Sequence, residues 1–324
     1  MYPLNRNRRL RSSSAIRDLV RENHLSNNDF IVPLFVVEGK NIKEEISSMP
    51  DYYRLSLDLL KKEVKELWEI GLKAVLIFVK VEDKLKDNSG KEALNNNGLM
   101  QRAIKIIKNT VPEMAVITDV ALDPYSSYGH DGIVEKSKVL NDPTLEILSE
   151  MALSHAKAGA DFVAPSDMMD GRVLKIRETL ENNSFIDTGI ISYSVKYASS
   201  LYGPFRKALD SNPNFGDKKT YQMDYGNKKE AINEALNDIE EGADIIMIKP
   251  GITCLDIISL LSQKITIPIA CYQVSGEYSM LKIAAKKGFL DFNLVMIEQL
   301  SAFKRAGASM IASYHAKTAV KLLS

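Results

Sequence analysis

One unit recurs along the whole chain and limits what it can fold into. It is an amphipathic stretch with helical spacing, a breaking residue, and then a short, almost unbroken apolar run. Residues 59–70 have the helical period, Gly71 ends them, and KAVLIFV follows at 73–79. The unit returns as 101–108 with MAVITDV (114–120), as 143–157 with Gly159 and DFVAPS (161–166), and as 172–180 with GIISYS (189–194). It returns again as 229–241 with Gly242 and DIIMIKP (244–250), and as 255–261 with IPIACYQV (267–274). Helical stretches at 281–287 and 297–306, with Gly307, lead into SMIASYH (309–315), and DFIVPLFVV (29–37) supplies a first run. Glycine suits the joins because a left-handed cap costs it nothing. Runs that are apolar throughout, rather than alternating, belong to strands covered on both faces. Three joins share a sequence: AlaGlyAlaAsp at 158–161, GluGlyAlaAsp at 241–244 and AlaGlyAlaSer at 306–309.

Eight such runs separated by helices predict an α/β chain closed into a (β/α)8 TIM barrel with an extended N-terminal arm. The rival is an open doubly wound sheet, but no Gly-x-Gly-x-x-Gly fingerprint follows any run. Residues 29–324 form the barrel, residues 1–28 lie outside it as the arm, and no linker marks a second domain. Its first 21 residues carry Arg6, Arg8, Arg9, Arg11, Arg17 and Arg21, with Asp18 as the only acid among them. A transit peptide, a nucleic-acid arm and a solvated extension pairing with a neighbouring subunit all compete for that bias. The stretch merges into the periodic segment 15–20 without a cleavage-like break, which favours the subunit arm.

Charge excludes other classes. Lys+Arg total 42 and Asp+Glu total 42, so no net field draws the chain to nucleic acid or an anionic membrane. No apolar run approaches the roughly 20 residues that cross a bilayer. Cys254 and Cys271 are the only cysteines and lack metal-ligand spacing, as suits a reducing compartment. The expected location is cytoplasmic, with a plastid left open.

Barrel chemistry sits at the carboxyl ends of the strands. Those ends carry Asp119, Ser166 with Asp167, Lys196, Lys249, Ser275 with Glu277, and Tyr314. Any one of them has a bland explanation as a helix cap or a solvated charge, but capping alone explains their convergence poorly. Lys249 follows IIMI and precedes ProGly, so its stem leaves a dry strand. Desolvation lowers an ammonium pKa and a second cation lowers it further; Lys196 on the adjacent strand can be that cation. A neutral amine in such a place attacks carbonyls and forms a Schiff base. Two lysines at one mouth suggest one reactive amine with an electrostatic helper, or two reactive amines holding two carbonyl substrates.

The segment after the fifth run is long and broken by Gly203, Pro204, Pro213 and Gly216. It reads as an active-site lid at about 197–222. Tyr202 and Phe205 offer apolar contacts, and Arg206, Lys207, Lys218 and Lys219 offer charge for a substrate carboxylate or phosphate. TDVALDPYSSYGHDGI (118–133) places Asp123 and Asp131 in a loop beside His130, where oxygen ligands would suit Mg²⁺ better than zinc. Such spacing is more often turn chemistry.

TDVALDPYSSYGHDGI, VAPSDMMDGRV, SYSVKYASSLYGPFR, FGDKKTYQMD, IMIKPG and YQVSGEY, in this order, resemble the delta-aminolevulinate dehydratase, or porphobilinogen synthase, family from about Arg8 to the carboxyl terminus. The resemblance implies a TIM barrel whose arm wraps a neighbour, usually in a homo-octamer. It implies condensation of two 5-aminolevulinate molecules into porphobilinogen with loss of two waters, in tetrapyrrole synthesis. Lys249 matches the Schiff-base lysine of the propionate-side substrate, and Lys196 the second, acetate-side lysine. Ser275 and Tyr314 match one carboxylate clamp. Arg206, Lys218 and Gln222 match the other. Asp119 and Ser166 match polar groups near the reacting amine and carbonyl, and Tyr202 is placed with the substrate-binding residues.

The sequence departs from the zinc-dependent members, which carry three cysteines after the third strand. Ala121, Asp123 and Asp131 stand at those positions, so a catalytic zinc is not expected. Magnesium is the expected ion, at a stimulatory site whose carboxylate matches Glu234, while Asp123 and Asp131 stay open as metal ligands. No organic cofactor is expected. Lys218 stands where an arginine is usual, a point charge in place of a bidentate fork. Another Schiff-base TIM-barrel aldolase or lyase, and a non-catalytic scaffold of the same fold, remain as rivals.

Overall fold

The computed structural model describes residues 1–323, and in it the eight apolar runs become eight parallel strands. They are Phe30–Val37, Ala74–Lys80, Ala115–Val120, Phe162–Pro165, Gly189–Lys196, Ile245–Lys249, Ile269–Gln273 and Met310–Ser313. Each pairs with its predecessor, and the eighth pairs back onto the first through Phe30↔Ile311 and Ile31↔Ala312. The sheet therefore closes, and the open-sheet alternative falls away. Helices Leu57–Glu69, Leu99–Thr110, Asn141–Ala158, Arg172–Asn182, Lys229–Glu240, Leu255–Ser262, Phe292–Ala306 and Ala316–Leu323 complete the units.

Apolar burial separates into two clusters. Val75, Ile77 and Val79 pack outward against Leu60, Val64 and Ile104, while Leu76 and Phe78 of the same strand pack inward with Ile117, Met247 and Tyr272. Residues of both parities are thus buried, which explains why the runs do not alternate in sequence.

The repeated joins repeat in three dimensions. Gly159, Gly242 and Gly307 hold φ of 105°, 103° and 111°, in the left-handed region that ends each helix. In the first two joins the aspartate two residues later staples the floor of the barrel, while Ser309 stands at the third. Asp161 accepts the Val116 N–H at 2.7 Å, and Asp244 accepts the Ile190 N–H at 2.7 Å. Both acids also take a cation, Lys108 at 3.0 Å and Arg177 at 2.7 Å.

The fifth strand contains an irregularity that sequence spacing does not reveal. Its pairing with the sixth runs Ile191↔Ile245 and Ser192↔Ile246, then Val195↔Ile248 and Lys196↔Lys249. Between the paired positions the fifth strand takes one more residue than the sixth, as in a β-bulge. Tyr193 already faces inward, and strict alternation would turn Lys196 outward. The extra residue restores Lys196 to the interior.

Several expectations shift. The helix after the seventh strand begins at Ser275, where the Glu277 carboxylate reaches back to accept the Val274 N–H, rather than near 281. The stretch read as a broken lid contains a 3-10 turn, Ser200–Tyr202, and a helix, Gly203–Leu209. A hairpin, Lys43–Glu45 with Tyr53–Leu55, projects beyond the first strand. In the arm, Asn7–Arg11 and Ser14–Leu19 are helical and bury no residue.

Asp167, read at a strand end beside Ser166, turns away from the mouth. It accepts the Met169 N–H at 2.7 Å and lies 3.9 Å from Arg172. Arg172 in turn forks onto Asp238 at 3.0 and 3.3 Å, and the Ser192 hydroxyl donates to the same carboxylate at 2.6 Å. All four side chains are buried. Removing one ion of such a pair strands the other, at a cost of about 3–5 kcal/mol. Asp238→Ala should lower the unfolding free energy in urea by about that amount, and Arg172→Met with Asp238→Leu should recover most of it. Equal stability of Asp238→Ala and the parent would contradict this assignment.

Candidate active site

Alternation along the strands carries one set of side chains into the barrel mouth. Ile117 and then Asp119 face in from the third strand, Ala164 and then Ser166 from the fourth, and Tyr272 and Tyr314 from the seventh and eighth. Lys196 arrives through the bulge and Lys249 ends the sixth strand opposite it. Both lysines are nearly sealed from solvent, at 6% and 5% exposure.

Four aromatic rings surround the Lys249 amine. Its Nζ lies 5.1 Å from the ring centre of Tyr193, 5.0 Å from Tyr202, 5.0 Å from Phe205 and 4.8 Å from Tyr272. Ring faces attract a cation, but the removal of water and the Lys196 charge oppose it. The balance lowers Lys249 to about 7, with burial the largest cause, Lys196 next, and Asp119, Asp123 and Asp131 opposing. Asp119 moves the other way, up to about 7, because burial and Asp123 outweigh the two lysines and a Ser166 hydrogen bond. Near neutral pH the site thus contains an amine able to lose its proton beside a carboxyl able to keep one.

Lys196 is held differently. Its Nζ donates to the Ser166 carbonyl and sits 3.6 Å from Asp131. Asp131 also accepts Lys218 at 2.6 Å, and Lys218 reaches Asp123 at 3.5 Å. Burial opposes charge on Asp131, but Lys218 and Lys196 outweigh it and hold the carboxyl below its usual range. Burial likewise works against the Lys218 ammonium, and the two aspartates keep its pKa high. Asp123 and Asp131 therefore serve as counter-ions to a lid cation. Among the described residues no three His, Cys, Asp or Glu side chains come together to hold a metal.

The lid is tied down along its length. Arg54 of the hairpin donates to the Ala208 and Lys207 carbonyls at 2.5 and 2.8 Å, and Ser48 donates to the Pro204 carbonyl at 3.1 Å. Ser275 Oγ accepts the Phe205 N–H at 2.9 Å and donates to the Leu201 carbonyl at 3.3 Å. On the far side, His130 Nε2 lies 3.1 Å from the Phe215 carbonyl, which can only accept. That fixes the tautomer, so Nδ1 accepts from the Tyr221 hydroxyl at 3.0 Å. Gly129, at φ 66°, passes so close to the Asn212 carbonyl that a Cβ would collide with it.

The expected site residues divide on this geometry. Asp119, Ser166, Lys196, Lys249, Tyr202 and Tyr314 meet at the mouth, with the Tyr314 hydroxyl 2.9 Å from that of Tyr272. Gln222 is buried with its amide oxygen unpartnered, and Arg206, half-buried on the lid helix, has no side-chain hydrogen bond or ion pair among the described residues. Lys218 is already engaged by two carboxylates, and Ser275 by lid backbone. Glu277, read as a mouth residue, instead accepts the Ile252 and Val274 N–H groups, both at 2.7 Å. It thereby links the loop after Lys249 to the start of the Ser275 helix. Glu234 lies apart, half-buried in the wall of a cavity of about 840 Å³ on the outer side of the lid, with Asp170 and Glu230. Burial raises its carboxyl, Arg172 opposes this, and Asp238, Asp170 and Glu230 add to the rise. Phe205 was read as an apolar lid contact, but the part that Tyr193 and Tyr272 play in the ring cage was not assigned from sequence. The period-two spacing of Tyr272 and Val274 at the end of an apolar run was the available signal.

A family model described as Delta-aminolevulinic acid dehydratase matches residues 4–322. The chain is 49% identical over 320 residues to a Bacillus subtilis protein named Delta-aminolevulinic acid dehydratase, covering 99% of this chain and 98% of that one. It is 52% identical over 320 residues to a protein of the same name from Methanothermus sociabilis, covering 99% of each. A solved structure of delta-aminolevulinic acid dehydratase from Toxoplasma gondii, in complex with the reaction product porphobilinogen, superposes with a TM-score of 0.97 at 48% identity. That match covers 98% of this chain and 91% of the other.

Reductive trapping tests the amine electrostatics. With a small ketone and borohydride, modification of Lys249 should rise as pH climbs through about 7, because only the neutral amine attacks. Lys196→Met removes a like charge, so the inflection should move to higher pH. An unmoved inflection would show that the second lysine does not tune the first.

Proposed function

The chain belongs to the delta-aminolevulinic acid dehydratase family, and from that premise we propose that its barrel mouth condenses two 5-aminolevulinate molecules into porphobilinogen through imines on Lys249 and Lys196. The observation that carries this reading is the register pairing of two buried lysines, one of them lowered to about 7. A one-lysine aldolase activates one carbonyl partner, whereas holding both ketones as imines uses two such amines. A scaffold that had lost catalysis would have no reason to keep both amines dry.

The chemistry follows from the groups. Each lysine amine adds to a substrate ketone and the adduct loses one water, which accounts for the two waters lost. The iminium withdraws electrons, acidifying the carbon beside it on the acetate-side substrate and opening the propionate-side carbonyl carbon to attack. Carbon–carbon bond formation converts the Lys249 iminium into a Lys249 amine adduct, which is eliminated as the neighbouring carbon loses a proton; attack by the propionate-side amino group on the Lys196 iminium gives an aminal, whose ring nitrogen lone pair expels the protonated Lys196 amine, and loss of the remaining proton completes the aromatic ring, so both amines return free. Asp119 is suited to moving the protons, having a pKa near the working range. Ser275 and Tyr314 clamp one carboxylate; Arg206, Gln222 and Lys218 clamp the other, with Tyr202 closing the pocket. A substrate carboxylate arriving at Lys218 competes with Asp123 and Asp131, so Arg206 is the principal acetate-side anchor. Lid closure excludes water from the imines, and fixing both substrates replaces an encounter with an intramolecular step.

Mg²⁺ is proposed at Glu234, where a hard cation would relieve the mutual repulsion of half-buried carboxylates. Asp123 and Asp131 fit a metal poorly, since an ammonium occupies the space between them. No zinc or organic cofactor enters the scheme. A homo-octamer is proposed because Leu4, Leu10 and Leu19 of the arm are exposed and the arm buries nothing of its own. A cytoplasmic location is part of the same proposal. A rice relative, 50% identical over 320 residues, is named as chloroplastic, which keeps a plastid in view.

Purified protein given 5-aminolevulinate should produce porphobilinogen by colour assay, and borohydride should leave a mass adduct on Lys249. Product without any Lys249 adduct would contradict the assigned nucleophile. Arg206→Ala should raise KM at least about tenfold with a smaller change in kcat, as expected for a lost charge-assisted contact. Chelation should lower the rate and Mg²⁺ should restore it; rescue by Zn²⁺ alone would overturn the metal assignment.

A further inference from the structure

Tyr193, with Ser194, lies where the fifth strand departs from regular pairing with the sixth. Its side chain is wholly buried in the barrel interior, and its hydroxyl has no hydrogen-bond partner among the described residues. The other phenols of the inner cluster are committed, whereas Tyr125, whose hydroxyl is also unpartnered, belongs to the outer cluster. Tyr272 and Tyr314 pair with each other, and Tyr202 donates to the Tyr197 and Lys249 carbonyls at 2.7 and 3.1 Å. Tyr52 donates to the Pro33 carbonyl, and Tyr278 to the Pro50 carbonyl. A buried, unpaired hydroxyl costs stability and calls for an explanation. Phenylalanine would fill the same space without that cost.

The surroundings supply a reason. The Tyr193 ring centre lies 5.1 Å from Lys249 Nζ and 6.0 Å from Lys196 Nζ, so one phenol flanks both amines. Burial, with Asp119, Tyr314 and Tyr202, pushes its pKa well above the ordinary value, so the hydroxyl keeps its proton and acts as a donor. What each lysine requires is help with a leaving oxygen. Amine addition to the ketone gives a carbinolamine; its C–O bond must break with the electron pair on oxygen while the nitrogen lone pair closes the C=N bond. The proton that completes the departing water comes from the Asp119 carboxyl.

We infer that Tyr193 is a further catalytic residue, whose hydroxyl donates a hydrogen bond to the carbinolamine oxygen as it leaves from Lys249 and from Lys196. This rests on the reading of both lysines as imine-forming groups. The phenol acts like an oxyanion donor: charge develops on the oxygen in the transition state, and the donor is already placed there in a dry site.

Tyr193→Phe removes one oxygen and leaves the ring, its packing and its contact with the amines. With 5-aminolevulinate as the probe, single-turnover borohydride trapping and kcat should both fall by about 10²-fold, the scale for losing one such donor, with KM nearly unchanged. The melting temperature should hold or rise, because an unpaired polar atom has gone. A fluorinated tyrosine at position 193, which keeps the hydroxyl, should restore most of the rate. Trapping and kcat within about twofold of the parent, or a change confined to KM, would overturn the inference. If the parent protein itself gives no trapped adduct on either lysine, the imine reading fails instead.

Discussion

Everything at the barrel mouth depends on how three ammonium-bearing side chains share one dry space. Lys196, Lys218 and Lys249 are each 5–6% exposed, and three aspartates stand among them. Full pairing would leave three inert ions. The pairing is instead uneven. Asp131 lies against Lys218 and near Lys196, Asp123 supports Lys218, and Lys249 has rings around it in place of a carboxylate. The deficit of negative charge is thereby concentrated on one amine. Burial alone would lower any lysine; the arrangement selects which one bears the shift. The seal is part of the same device, because water admitted at the lid would solvate Lys249 and return it to an ordinary ammonium.

Much of this was legible in the sequence, and the reasons are specific. Helix ends announced themselves through Gly159, Gly242 and Gly307, and strands through apolar runs that no surface strand could carry. Lys249 stood out because a lysine at the end of IIMIK must leave a dry strand. The failures have separate physical causes. When both faces of a strand are apolar, sequence does not reveal which parity faces in, so Tyr193 and Tyr272 drew no assignment. A bulge leaves no compositional trace, so the inward turn of Lys196 emerged only from register. Asp167 and Glu277 were drawn to the mouth because strand-end acids look alike in sequence, whereas their oxygens are used by nearby backbone N–H groups.

The two ends of the barrel follow different rules. At the floor, Asp161 and Asp244 repeat one contact in two units, and the near-identical joins reflect a requirement that recurs with the fold. At the mouth no contact repeats. Each strand ends in a different group, and the long lid is held from two sides, by the hairpin through Arg54 and by the loop after the third strand through His130. A mouth specialised in this way can host one reaction on a frame that is otherwise modular.

The double anchorage has a practical consequence. Beyond the hairpin anchors, between Phe215 and Tyr221 on the His130 side, the chain presents Lys219 to solvent. A fluorophore mounted there would ride the gate without blocking it, turning each admission of substrate into an optical signal.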